Sequence, residues 1–139
     1  MKVLQPPDWA RPKGYANGIA ATGSMIFLSG MVGWNRHGEF LAKDFPGQVR
    51  QALQNIVEVL SEAKARPEHI VRMNWYVVDK SEYIAASREI GVIYREIMGR
   101  HYPAMTLVEV SGLLEPHARV EIEVTAVLPE EISTADQRG

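Results

Sequence analysis

Three runs of regularly spaced apolar residues organise the chain. Val49, Leu53, Ile56, Leu60 and Ala63 recur at intervals of four, three, four and three, one stripe along a helix. Asp44 is placed to cap its start, and Arg66-Pro67 to stop it. From Ile70 to Val78 the period falls to two, with Val71, Met73, Trp75 and Val77 on one face and Arg72, Asn74 and Tyr76 on the other. The same alternation returns from Ala118 to Val127, where Val120, Ile122 and Val124 oppose Arg119, Glu121 and Glu123. Between these strands a second helix is predicted over Ser81 to Met98, with Ile90, Ile93 and Ile97 as its apolar face. Asp79 and Glu82 form its capping box, and Gly99 its C-cap.

Shorter runs complete the order. Ile19 to Ala21 and Met25 to Leu28, separated by Thr22-Gly23-Ser24, predict a β-hairpin, and Trp34 to Gly38 an exposed turn. Residues 1–13, with Pro6, Pro7 and Pro12, read as a loop or edge arm. His101 to Gly112 reads as a loop followed by a strand, and residues 129–139 have little to bury and are expected to fray. The order β-β-α-β-α-β-β predicts an α+β fold, one domain over residues 1–128, with two helices covering one face of a mixed sheet. The other face carries Arg72, Asn74, Tyr76, Arg119, Glu121 and Glu123. So much charge is not buried without partners, so that face is in water, at a subunit contact, or lining a site.

Composition narrows the chemistry. A chain of 139 residues suits one domain with a substantial core. A net charge of -2 and the lack of a basic cluster argue against a nucleic-acid partner. Without cysteine there is no disulfide, thiol nucleophile or Cys-ligated metal. No apolar run suits a signal peptide or a membrane span, so a cytoplasmic location without membrane contact is expected. His37, His69, His101 and His117 share no ligand spacing, and His101 reads as a loop histidine near a helix end. Ser29-Gly30 lacks the nucleophile-elbow frame, and Gly30-Met31-Val32-Gly33 is no phosphate loop. Glu121 and Glu123 stand about 7 Å apart on one side of a strand. They read either as an acid–base pair or as a ladder of charges paired across strands with Arg119 and Arg72; pattern alone favours the ladder.

Several stretches together carry a resemblance: Gly14-Tyr15-Ala16-Asn17-Gly18, Phe27-Leu28-Ser29-Gly30, Gln48 to Leu60, Ile70-Val71-Arg72, Pro103-Ala104-x-Thr106 with Val108-Glu109-Val110, and Val120-Glu121-Ile122-Glu123. In this order they resemble the Rid (reactive intermediate deaminase) family, whose members also carry the older labels endoribonuclease and translation inhibitor. The resemblance implies a chorismate-mutase-like fold and a homotrimer, its polar sheet faces meeting around a central barrel and its sites lying in clefts between subunits. It implies hydrolysis of enamine or imine intermediates to a keto acid and ammonia, without metal or cofactor. Glu121 matches the acid that positions or deprotonates the attacking water. Tyr15 matches an aromatic residue that closes over the substrate, and backbone groups around Ser29, Gly30 and Thr106 would border the pocket.

Position 105 departs from the pattern. Active members carry an arginine there that grips the substrate carboxylate, and this chain has Met105. Losing such a contact costs about 1.5–3 kcal/mol. The expected substrate is therefore an imine other than 2-aminoacrylate, such as an aminomuconate-type compound. Its carboxylate would pass to another cation, with Arg100, Arg119, Arg36 and Lys13 as candidates, or Met105 would pack on an apolar portion of a less anionic substrate. The alternative is a non-catalytic trimer that binds a small carboxylate metabolite. A ribonuclease ranks lowest, given the acidic balance.

Overall fold

A computed structural model describes residues 1–130. The elements are β1 (Lys2–Leu4), β2 (Gly18–Ala20), β3 (Ser24–Phe27), β4 (Met31–Val32), α1 (Phe45–Glu62), β5 (Ile70–Val77), α2 (Lys80–Ala85), α3 (Ser87–Met98), β6 (Ala104–Glu109) and β7 (Val120–Leu128), with a 3-10 turn over Pro67–His69. The main sheet runs β3–β7–β5–β6, and β4 continues along the β3 edge of β7. β7 is antiparallel to β3, β4 and β5, while β6 lies parallel to β5. A parallel neighbour needs a crossover, and α2 and α3 supply it. The expected α+β arrangement, a mixed sheet with helices on one face, is what the chain forms. The expected fraying of the tail lies outside the described residues for positions 131–139.

The core fills the space between helices and sheet. Val49, Leu53, Ile56 and Leu60 of α1 and Ile90, Ile93 and Met98 of α3 meet Met73, Trp75 and Val77 of β5 and Val120, Ile122 and Val124 of β7. Each large side chain taken out of water there contributes about 1.5–3 kcal/mol. Asp44 caps α1 as expected, accepting a hydrogen bond from Gly47 N at 3.2 Å. One polar residue lies in the same layer. Gln48 is buried, donates from Nε2 to His117 O at 2.9 Å, and accepts at Oε1 from Arg119 N at 2.7 Å. It ties α1 to the turn that delivers β7.

Four expectations need correction. The two short N-terminal runs form no hairpin. β2 pairs with β1, Ile19 opposite Val3, while β3 pairs with β7. Gly23 turns the chain so close to β7 that a Cβ there would stand 2.2 Å from Leu128 O, and this directs β3 onto the longer strand. In β5 the register shifts between Ile70 and Arg72, so the bulge falls at Val71 and Ile70 enters the core in its place. The second helix breaks at Ala86 (φ -98, ψ 12) into α2 and α3. α2 follows its own anchors: Tyr83 packs edge-on against Trp75 and Phe45, and Glu82 pairs with Arg119. The reciprocal capping box is therefore incomplete. Asp79 accepts from Ser81 N, but the Glu82 side chain is turned to Arg119.

Candidate active site

The site begins where the edge strand on β7 is interrupted. Leu28 N donates to Val124 O at 3.1 Å, pairing lapses at Ser29-Gly30, and it resumes with Met31 opposite Ile122 and Val32 opposite Glu121. Ser29 and Gly30 are exposed, and the Glu121 side chain lies across Gly30. A Cβ at Gly30 would stand 2.7 Å from Glu121 Cγ and Cδ and 2.8 Å from Oε2. The missing side chain at position 30 is thus what lets the carboxylate rest there.

The two acids of β7 are not equivalent. Glu123 accepts from Tyr76 Oη at 2.6 Å and from Asn74 Nδ2 at 3.1 Å. The bond to Glu123, followed by burial, holds the Tyr76 phenol above its usual range, so it stays a donor. Glu121, half-buried on the same open face, has no hydrogen-bond or ion-pair partner among the described residues. The ladder favoured by pattern is therefore not formed. Arg119 is held by Glu82, with Nε 2.7 Å from Oε1, and Arg72 is exposed and pairs with neither acid. That pairing also withdraws Arg119 from the candidate anion-binding cations, and the Glu82 bond raises its pKa further.

The remaining predicted residues lie elsewhere. Thr106 faces the open side, opposite Asn74, but β6 is separated from β7 by β5. At the usual strand spacing that places it about 10 Å from the Glu121 strand. Met105 pairs with core residue Met73 and so points to the helix side. Tyr15 and Arg100 share an exposed cleft of about 400 Å3 beside the N-terminal arm, near His101 and Tyr102. The arm is docked there by Ala16, whose N–H donates to Pro103 O at 3.0 Å. Lys13 is exposed beside this arm, while Arg36 sits over α1 in a cleft with Asn55 and Glu58. His101 is structural: its Nε2 lies 2.7 Å from Ile70 O, and its own carbonyl accepts from Tyr94 Oη at 2.7 Å. No three His, Asp or Glu of the described residues gather into a metal-ligating group.

One chain therefore presents two separated surfaces. Glu121 with Ser29 and Gly30 is on the β7 side, and Met105 with Tyr15 is at the β6 edge. Behind Met105 lies a feature that sequence reasoning missed, a cleft of about 320 Å3 between α3 and the sheet, walled by Trp75, Tyr83, Tyr94 and Tyr102. Gly91, in the middle of an otherwise regular helix, was its one sequence signal.

The chain is an α+β sheet protein with a carboxylate, unpartnered among the described residues, at a glycine-broken edge strand, and comparison with known proteins places it in a family. Residues 9–128 match the family described as Endoribonuclease L-PSP. The chain is 31% identical over 130 residues to a RutC family protein of Aquifex aeolicus, covering 91% of this chain and 99% of that one. It is 26% identical over 128 residues to a 2-iminobutanoate/2-iminopropanoate deaminase of Dermatophagoides farinae, covering 91% and 96%. The solved structure of the Rid-family protein YyfB from Yersinia pestis superposes with a TM-score of 0.82 at 31% identity, covering 91% of this chain and 98% of that one. The chain belongs to the endoribonuclease L-PSP, or Rid, family. That family includes proteins named as imine deaminases. Among the described residues no helix is long and apolar enough to cross a membrane.

Proposed function

We propose that this protein hydrolyses a reactive imine to a carbonyl compound and ammonia, with Glu121 as the acid–base group. The observation that carries this reading is the Glu121 carboxylate lying free over Gly30 while its neighbour Glu123 is occupied by Tyr76 and Asn74. A relative named 2-iminobutanoate/2-iminopropanoate deaminase supports the reaction class. In the reaction, water adds to the carbon of a protonated C=N bond and Glu121 takes the proton that the water loses. The same carboxyl group returns that proton to the nitrogen of the tetrahedral adduct. The C–N bond breaks, ammonia leaves, and the remaining hydroxyl gives up its proton to form the carbonyl. Neither electrons nor a further reactant are required.

The site is completed by a second copy of the chain, which brings its Met105 and Tyr15 to the Glu121 surface. The open face supports such an assembly. Met25 and Phe27, 61% and 71% exposed, lie on it beside Glu121 and Glu123. A homotrimer closes this heterologous contact without leaving a free edge. With Met105 in place of a cation, the substrate is an imine other than 2-aminoacrylate. The same substitution favours, as the second reading, a trimer that binds a small carboxylate metabolite without turnover.

Ammonia release from imines generated in situ by an amino-acid oxidase separates the two. Glu121→Ala is expected to lose at least about a hundredfold of the wild-type rate, and Glu123→Gln, which keeps an acceptor for Tyr76, to stay within a few-fold. Unchanged turnover in Glu121→Ala removes the mechanism. Absent turnover in the wild type, with measurable ligand binding, establishes the second reading.

A further inference from the structure

The cleft behind Met105 has more chemistry than a packing defect needs. Trp75 is 2% exposed and forms part of its wall. Tyr83 stands edge-on to Trp75 with ring centroids 6.0 Å apart, and Tyr102 stacks on Tyr94 at 5.6 Å. These rings build a slot suited to a flat, apolar group. The volume, about 320 Å3, falls at the small end of ligand sites.

The mouth of the slot carries the charge that position 105 lacks. Arg95 lies one turn after Gly91 on α3, is exposed, and lines the same cleft as Met105. Its side chain runs back along the helix, so that a Cβ at Gly91 would stand 3.3 Å from Nη1 and 4.0 Å from Cζ and Nη2. The guanidinium thus lies over a position with no side chain. It has no carboxylate partner among the described residues. A mid-helix glycine is less favourable than alanine, and here it makes room for a cation at the rim of an aromatic slot.

We infer that Arg95 and the Trp75–Tyr83–Tyr94–Tyr102 slot determine specificity for an aromatic 2-imino acid. The carboxylate pairs with Arg95 at the mouth, and the ring enters the slot. The C=N carbon, next to the carboxylate, remains at the mouth, where the Glu121 of a second copy would meet it. This inference rests on the imine-hydrolase reading for its chemistry but not for its binding test.

The test uses 4-hydroxyphenylpyruvate and pyruvate, keto-acid counterparts of a bulky and a small imine, titrated calorimetrically into the intact protein and into Glu121→Ala. The aromatic acid is expected to bind at least tenfold more tightly than pyruvate in both. Arg95→Gln should weaken it tenfold or more with an unchanged circular dichroism spectrum. Gly91→Ala should also weaken it while holding or raising Tm, a combination that a purely structural role would not produce. One indole N–H resonance, absent in Trp75→Phe, should shift on saturation. Equal affinities for the two acids, or wild-type affinity in Arg95→Gln, overturn the inference even if imine turnover is found. Tight, Arg95-dependent binding without turnover retains the slot and removes the hydrolase reading.

Discussion

At the scale of single residues, the proposed acid–base carboxylate depends on what its neighbour lacks. The Glu121 side chain occupies the space that a methyl group on residue 30 would take, with contacts of 2.7 Å where ordinary packing needs about a full ångström more. Gly30→Ala must therefore move the carboxylate, the interrupted strand, or both. Residue 30 is exposed and outside the ladder, so the fold should tolerate the change while the site does not. We expect Gly30→Ala to lower ammonia release at least about tenfold, equivalent to about 1.4 kcal/mol in the barrier, with Tm within a few degrees of wild type. Full activity would mean that Glu121 need not lie over Gly30 to work. The place of Glu121 on the open face was legible in the strand alternation. The loss of Arg119 as an anion site was not, because its partner Glu82 lies 37 positions away in the chain and reads equally well as a capping residue.

At the scale of elements, long periodic segments were readable and short ones were not. The stripe of α1 and the alternation of β7 each specify a buried face over several turns or pleats, so helix, strand and core side follow directly. A three-residue run such as β2 specifies no partner, and pairing with β1 instead of β3 is a choice made by tertiary contacts. The Ala86 break is hidden for a related reason: its residues are good helix formers, and the bend serves the anchoring of Tyr83 and Glu82 elsewhere. Gln48 is the clearest unreadable case, since a buried glutamine looks like any surface one in the chain. Its amide satisfies His117 O and Arg119 N at once, and a Cβ on Gly33 would stand 2.6 Å from its Cβ. Gln48→Leu leaves both backbone groups unpaired, at about 1–3 kcal/mol each. A loss of about 2–6 kcal/mol in urea unfolding is expected on that basis; a loss below about 0.5 kcal/mol, the usual range for surface changes, would show that the bridge is dispensable.

At the scale of the whole molecule, the two halves of the proposed site lie apart on one chain. Met105 points to the helix side of the sheet and Glu121 to the open side, with β5 between their strands. Assembly through the open face should therefore be a condition of activity. Phe27→Glu, at a position 71% exposed, is expected to leave the secondary structure intact while reducing the solution mass from that of the proposed trimer, three times 15.6 kDa, to a single chain, with turnover lost. A sharper test asks which copy supplies which group. Glu121→Ala and Tyr15→Ala each disable one half, so a trimer of either variant alone has no complete site. When the two are co-expressed and assort at random, about a quarter of the head-to-tail contacts combine the intact half of each. Ammonia release should then recover to about a quarter of the wild-type rate, although neither parent is active. If Glu121 and Tyr15 acted within one chain, every subunit in the mixture would carry a defect and no activity would return.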